Sequence, residues 1–155
     1  ADYDLALQAE PNFPIAYANR GAALAYSGRP REAIDSVQVA LRLSPKDPQA
    51  AVWHNFLCIS YRQLHDVDRA IDSCRTAVNL NPYAWWAFVG LVWSYTAAGK
   101  TTEAQDALAA LQRIRPGFTV EGFRSNMYVT SANPQYRQSV DEAAESLQKA
   151  GAKMR

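Results

Sequence analysis

The chain has 155 residues, of which 48% are hydrophobic and 20% are charged, and its formal net charge is +1. This apolar content excludes a disordered tail, and sixteen basic against fifteen acidic side chains provide no net field for nucleic acid or an anionic membrane. The 27 alanines favour helix, while eight prolines forbid one continuous helix. We therefore predict one modest all-α domain built from short helices.

Four prolines recur at a nearly constant interval and mark an internal repeat. The intervals are 34, 37 and 34 residues, and a period of this size predicts a stack of repeated units. The stretch AIDSVQVALRLSP at 33–45 aligns with AIDSCRTAVNLNP at 70–82, and a third copy runs from Ala104 to Pro116. The four prolines are Pro11, Pro45, Pro82 and Pro116.

Each copy divides into two helical patterns separated by a short break, at 28–30, 65–66 and 99–100. Apolar residues recur at helical spacing on both sides of each break, which predicts antiparallel helix pairs. The first residues match only the second helix of a unit, so we expect the intact protein to continue upstream. The predicted division is a half repeat at 1–13, repeats at 14–47, 48–84 (with a three-residue insertion) and 85–118, and capping helices at 119–155.

The region 76–99 carries no charge and includes the apolar run YAWWAFVGLVW at 83–93. A membrane span needs about 20 apolar residues, and polar residues and a proline keep this run shorter. We therefore predict a buried helix in a soluble protein and no membrane span. The residues that bound the run are Asn79, Asn81, Pro82, Ser94 and Thr96.

The last part of the chain changes character, because alanine is absent between Pro116 and Ala132. Bulky apolar residues there predict a further leading helix packed under the last unit. Asn133 and Pro134 then open a final helix that is apolar on one side and polar on the other, which is typical of a capping helix. Gly151 predicts its end.

The repeat pattern resembles the tetratricopeptide repeat, a unit of 34 residues with an aromatic, a Leu-Gly pair, a Tyr, two alanines and a closing proline. Tyr17, Gly21, Ala33, Ala40 and Pro45 match it directly. The resemblance implies a right-handed α-solenoid of antiparallel helix pairs that acts as a non-catalytic protein-interaction module. The chain departs from the pattern at four positions, which are Arg20, His54, Cys58 and Val92.

Two cysteines fall on the core stripes of the second unit, Cys58 on its first helix and Cys74 on its second. Their spacing matches no zinc or redox motif, and two cysteines do not make a disulfide framework. A buried thiol packs as a small hydrophobe, so we expect both to be free thiols in a reducing, cytoplasmic compartment.

No catalytic or cofactor-binding motif stands out in the sequence. Phosphate loops, nucleophile elbows and zinc motifs are absent, so we expect neither an enzyme nor a cofactor or metal site. His54 is expected in the core and His65 in a turn, while Asp66 is expected to cap the helix that follows it.

The resemblance places the functional surface on the concave side, which the first helix of each unit lines. Aromatic and aliphatic residues dominate there, and two exposed tryptophans predict anchors for an apolar or amphipathic peptide or helix. Some members of the family bind the terminal carboxylate of a partner peptide through lysines on this face, and those lysines are absent here. The predicted groove residues are Tyr26, Asn55, Phe56, Ile59, Arg62, Trp86, Val89 and Trp93.

Several alternatives remain open at this point. The groove is expected to hold an external partner, the final helix 134–149 folding back, upstream repeats, or a second copy of the chain. The closing segment also resembles the ends of bacterial proteins that join such repeats to a class III adenylate cyclase or a winged-helix regulator. That resemblance implies a C-terminal regulatory or dimerisation domain, and it assigns no site.

Overall fold

The computed structural model describes residues 2–155, and the described part of the chain contains nine α-helices joined by short turns. The prediction of an all-α fold is confirmed. The helices are α1 (Asp2–Ala9), α2 (Pro14–Tyr26), α3 (Pro30–Leu43), α4 (Ala50–Gln63), α5 (Val67–Leu80), α6 (Trp85–Ala97), α7 (Thr101–Ile114), α8 (Val120–Tyr128) and α9 (Pro134–Ala150).

Three successive pairs form a helical solenoid, α2 with α3, α4 with α5, and α6 with α7. Neighbouring pairs stack through α3 on α4 and α5 on α6. The turn inside each pair contains one residue in the left-handed region, which is where the sequence predicted the breaks. These residues are Gly28 (φ 69°), His65 (φ 54°) and Gly99 (φ 71°).

Small residues let the two helices of a pair approach closely. A Cβ added to Gly21 on α2 would lie 2.4 Å from Cγ2 of Val37 on α3, so only glycine fits without displacing its neighbour. Ala33 and Ala40 on the same face of α3 are fully buried. Gly21, Ala33 and Ala40, which match the repeat pattern in the sequence, thus lie where the two helices meet.

The two cysteines are buried as predicted, but the prediction of two free thiols is wrong. Cys58 on α4 and Cys74 on α5 are joined as a disulfide, and their Cα atoms lie 5.4 Å apart. The repeat register explains the pairing, because these positions correspond to Gly21 and Val37, which face each other in the preceding unit. Two cysteines placed there are within bonding reach.

The last helix turns back into the concave side of the solenoid. α9 packs mainly on α6 and α8, and it also contacts α7 and α4. The segment before α9 reaches the end of α2, where Oγ of Ser131 donates to the Tyr26 carbonyl (2.7 Å) and Nδ2 of Asn133 donates to the Ser27 carbonyl (2.9 Å). One of the open alternatives, the final helix folding into the groove, is thus what the structure shows.

Both ends of α9 follow the sequence prediction. Oδ1 of Asn133 accepts from the backbone N–H of Tyr136 and caps the first turn, and Gly151 ends the helix with φ 106°. The residues that follow run beside α8, since the N–H of Val120 donates to the Lys153 carbonyl at 2.9 Å. Across residues 2–155, none of the helices combines the length and the apolar character that a membrane crossing requires.

Candidate functional site

A cavity of about 270 Å³ remains between the concave face and the returning C-terminal helices. Helices α2, α4 and α6 provide one wall, and α8, α9 and the turn between them provide the other. Seven of the eight predicted groove residues line it. The lining residues are Tyr26, Val52, Asn55, Phe56, Ile59, Arg62, Trp85, Trp86, Val89, Phe123, Met127, Thr130 and Tyr136.

Trp93 is the predicted groove residue that does not line the cavity. It is only 4% exposed, and its ring centroid lies 6.2 Å from that of His65. The prediction of two exposed tryptophans is therefore wrong for Trp93, while Trp86 is half-buried at the cavity. The reason is that α9 covers α6, a contact that the repeat pattern does not encode.

Trp85 lines the cavity although the sequence analysis did not select it. Arg115 packs over its ring, with Cζ 4.4 Å from the ring centroid, and the centroid of the Phe118 ring lies 6.5 Å away. Arg115 and Phe118 belong to the segment after α7, whose bulky residues gave the only sequence signal for this contact. The α8–α9 wall residues could not be assigned to the groove from the repeat register.

Three aromatic rings from separate helices meet at the cavity. The Tyr26 ring packs edge to face against Phe56 (6.2 Å between centroids) and against Tyr136 (5.3 Å). Burial raises the pKa of the Tyr26 phenol to about 12, and it also raises the pKa of Tyr136. Both phenols therefore stay neutral at ordinary pH, and this corner offers apolar ring edges with hydroxyl groups.

The cavity runs along α4, from Val52 in the first turn of the helix, called the mouth here, to Arg62 near the end of the helix, called the Arg62 end. Val52 in the first turn of α4 is 37% exposed, whereas Arg62 near the end of α4 is 5% exposed. Ten residues of helix separate them, a rise of about 15 Å. Thr130 lies exposed on the opposite wall, and Tyr136 is buried.

Arg62 is a buried cation with incomplete pairing. Its Nε is fully enclosed and has no hydrogen-bond partner, and among residues 2–155 no acidic group lies within ion-pair distance of it. Burial lowers the pKa of its guanidinium, while Tyr136 and Glu142 act in the opposite direction. The Glu142 carboxylate instead lies 3.9 Å from Nδ1 of His65.

The other titratable residues considered in the sequence, His54 and Asp66, lie outside the cavity, in helix packing and helix capping positions. His54 is half-buried beside α5, and burial lowers its pKa, which favours the neutral ring. Asp66 caps α5 by accepting from the N–H of Arg69 at 3.2 Å, as the sequence predicted. Within the described residues, no cluster of three His, Cys, Asp or Glu side chains is arranged to hold a metal ion.

The fold is shared with solved helical-repeat structures. The chain is 26% identical to MamA over 96% of its own length and 82% of that chain, with a TM-score of 0.70. It is 24% identical to YrrB, described as a TPR protein with an unusual peptide-binding site, over 96% of this chain and 72% of that one (TM-score 0.64). The first TPR of Spaghetti (RPAP3), solved with the HSP90 peptide SRMEEVD, is 18% identical over 87% of this chain and 93% of that chain (TM-score 0.62).

No family model matches the sequence, and no curated protein is significantly similar to it. The class of protein is nevertheless defined by its architecture. The chain is a tetratricopeptide-repeat protein in fold, and the prediction made from its repeat pattern is confirmed. Its α9 packs on α6 and also contacts α4, and the cavity lies between these helices and α2.

Proposed function

We propose that the chain is a non-catalytic protein-interaction module that binds an apolar or amphipathic partner segment at the mouth of the cavity. The observation that carries this proposal is the cavity itself, which stays open and aromatic although α9 occupies the neighbouring groove. Buried aromatic anchors in a concave pocket are the usual source of binding energy at protein interfaces. The partner's apolar side chains enter beside Val52 and Trp86.

Two of the similar structures support a peptide-binding role. YrrB is described by its peptide-binding site, and the Spaghetti repeat was solved with a bound peptide. The nearly balanced charge of this chain supports a protein partner over a nucleic acid. Self-association through the same mouth is part of the proposal, with a second copy supplying the apolar segment.

The cellular compartment depends on the cysteines. The expectation of a cytoplasmic protein rested on two free thiols, and the Cys58–Cys74 bond removes that argument. Disulfides form and persist mainly in oxidising compartments. We therefore propose that the protein resides in an oxidising compartment, where this bond persists.

Selection of amphipathic peptides against the folded chain tests the proposed function. Peptides selected from a displayed library should bind the variant Trp86→Ala about 30-fold more weakly, since a central aromatic anchor contributes about 2 kcal/mol or more. Tyr83→Ala is the matched control, because Tyr83 is 78% exposed, lies near the start of the same helix and does not line the cavity. Equal affinities for both variants and the parent chain would place the binding surface elsewhere.

A further inference from the structure

The Arg62 end of the cavity has a composition that the binding of an apolar segment does not explain. Arg62 is almost completely buried, its Nε has no partner, and it shares the cavity with the rings of Phe56 and Tyr136. A buried cation without a direct ion pair is costly, and the Glu142 carboxylate acts on Arg62 only from beyond ion-pair distance. An anion in this space would give Arg62 a direct partner.

The surroundings limit the kind of anion that fits. Besides Arg62 and the two tyrosine hydroxyls, the polar groups carried by the lining residues are the side chains of Asn55 and Thr130 and the indole N–H groups of Trp85 and Trp86. One guanidinium matches one carboxylate, because its planar fork donates two parallel hydrogen bonds to the two oxygens. A doubly charged phosphate would be left with uncompensated charge in an apolar enclosure.

The volume limits the size of the ligand. About 270 Å³ corresponds to roughly nine water molecules at 30 Å³ each, which is room for an acid of about ten heavy atoms. The α8–α9 turn, which brings Thr130 to the cavity, is tied to the end of α2 through Ser131 and Asn133. A small free acid fits this space better than a chain segment.

We propose that the cavity binds a small apolar monocarboxylate, with its carboxylate on Arg62 and its hydrocarbon or aromatic body against Phe56, Ile59 and Val89. The ligand enters beside Val52 with its charged group toward Arg62. This site extends beyond the protein-interaction role. It does not depend on Trp86 capturing a partner at the mouth.

Matched ligands with and without the charge test this proposal on the intact chain. Octanoate and 3-phenylpropanoate are compared with 1-octanol and 3-phenyl-1-propanol, with titration calorimetry and the fluorescence of the tryptophans as readouts. Each acid is expected to bind at least 10-fold more tightly than its alcohol, because the charge-assisted pair forms only with the acid. Equal affinity of acid and alcohol, or no binding of either acid, overturns the proposal.

Substitution at the cation provides the second arm. Arg62→Met keeps the length of the side chain and removes the charge, so it should reduce acid affinity about 10-fold or more to the level of the alcohol. Arg113→Met, an exposed arginine on α7, is the control and should change neither affinity. Unchanged acid binding in Arg62→Met overturns the proposal.

A measurement on the unsubstituted chain keeps the proposal testable if Arg62→Met does not fold. The Nε–H signal of Arg62 should shift on addition of octanoate and not on addition of 1-octanol, and an unmoved signal counts against the site. A peptide that ends in leucine with a free carboxylate is tested beside the acids. Binding of that peptide without binding of the free acids contradicts a small-molecule site. Weaker binding of the selected amphipathic peptides to Trp86→Ala concerns only the proposed function.

Discussion

Gly90 on α6 shows how single residues set the distance between neighbouring repeats. A Cβ at this position would lie 2.4 Å from Sγ of Cys74 and 2.5 Å from Sγ of Cys58. The disulfide of the second unit therefore lies directly against the backbone of the third. Glycine is required here because the two sulfur atoms lie close to its backbone. Its backbone conformation is helical and would accept any residue.

Replacing Gly90 with alanine should destabilise the protein, although the same change in an exposed helix stabilises it by about 1 kcal/mol. The added methyl group overlaps both sulfur atoms, and overpacking of this kind costs about 1–3 kcal/mol. Urea denaturation measures the change in the free energy of unfolding. In a background with Cys58→Ala and Cys74→Ala the cost should disappear, and the same cost in both backgrounds would show that the sulfur contact is not its source.

The buried phenol of Tyr26 predicts a loss of stability at high pH. Its pKa is raised to about 12 in the folded chain, against about 10 in an unfolded chain. Between these values the unfolded state releases the proton and the folded state retains it, so this contribution to stability is complete below pH 10 and decreases as the pH rises toward 12. The free energy of unfolding should fall by roughly 2–3 kcal/mol across this interval.

Tyr26→Phe provides the control, because it keeps the ring contacts with Phe56 and Tyr136 and removes the ionisable group. The slope of stability against pH between 10 and 12 should be smaller in this variant than in the parent chain. An identical slope in both proteins would mean that Tyr26 is not buried as the structure places it.

At the scale of elements, the position of α9 determines which part of the groove is free. Its N-terminal end is fixed to the turn after α2, where Asn133 donates to the Ser27 carbonyl. Gly28 makes this contact possible, because a Cβ there would lie 2.5 Å from Oδ1 of Asn133. The turn of the first repeat is therefore also the docking point of the last helix.

Gly28→Ala and Gly99→Ala form a matched pair that isolates this docking. Both glycines have similar positive φ angles, but an added Cβ at Gly99 has open space around it. Both variants should lose about 1 kcal/mol from backbone strain, and Gly28→Ala should lose a further 1–3 kcal/mol from the overlap with Asn133. Hydrogen exchange should become faster in α9 only for Gly28→Ala, and equal exchange in the two variants would contradict the docking.

The helices and their turns could be predicted from the sequence because each is encoded locally. Proline stands in the first turn of α2, α3 and α9, and the 34-residue period fixed the register of the pairs. The same register placed Phe56 and Arg62 on the concave side. Local pattern and tertiary packing agree for these elements.

The parts that could not be predicted all depend on contacts between distant segments. The burial of Trp93 and the presence of Tyr136 in the cavity follow from the return of α9, which no repeat period encodes. The bond between Cys58 and Cys74 was missed for a different reason. The repeat register implies that the two positions face each other. The prediction of free thiols relied instead on the number and spacing of the cysteines and on an expected reducing compartment.

For the whole molecule, the disulfide joins the two helices of the central pair. It closes a segment whose ends are 16 residues apart, and a loop of that size contributes about 3 kcal/mol in the chain-entropy account. A reducing agent should therefore lower the midpoint of urea unfolding in the parent chain. It should have no effect on the variant with Cys58→Ala and Cys74→Ala, and thiol labelling of the denatured, unreduced chain should modify neither cysteine.

The proposed binding site of the molecule is the cavity between the concave face and α9. The most direct measurement is a titration of the isotopically labelled chain with a selected amphipathic peptide, followed by residue-resolved NMR. The largest shifts should fall on the cavity wall, at Val52, Phe56, Trp86 and Val89. Shifts confined to the exposed ends of α3 and α5, at Leu43 and Leu80, would contradict it.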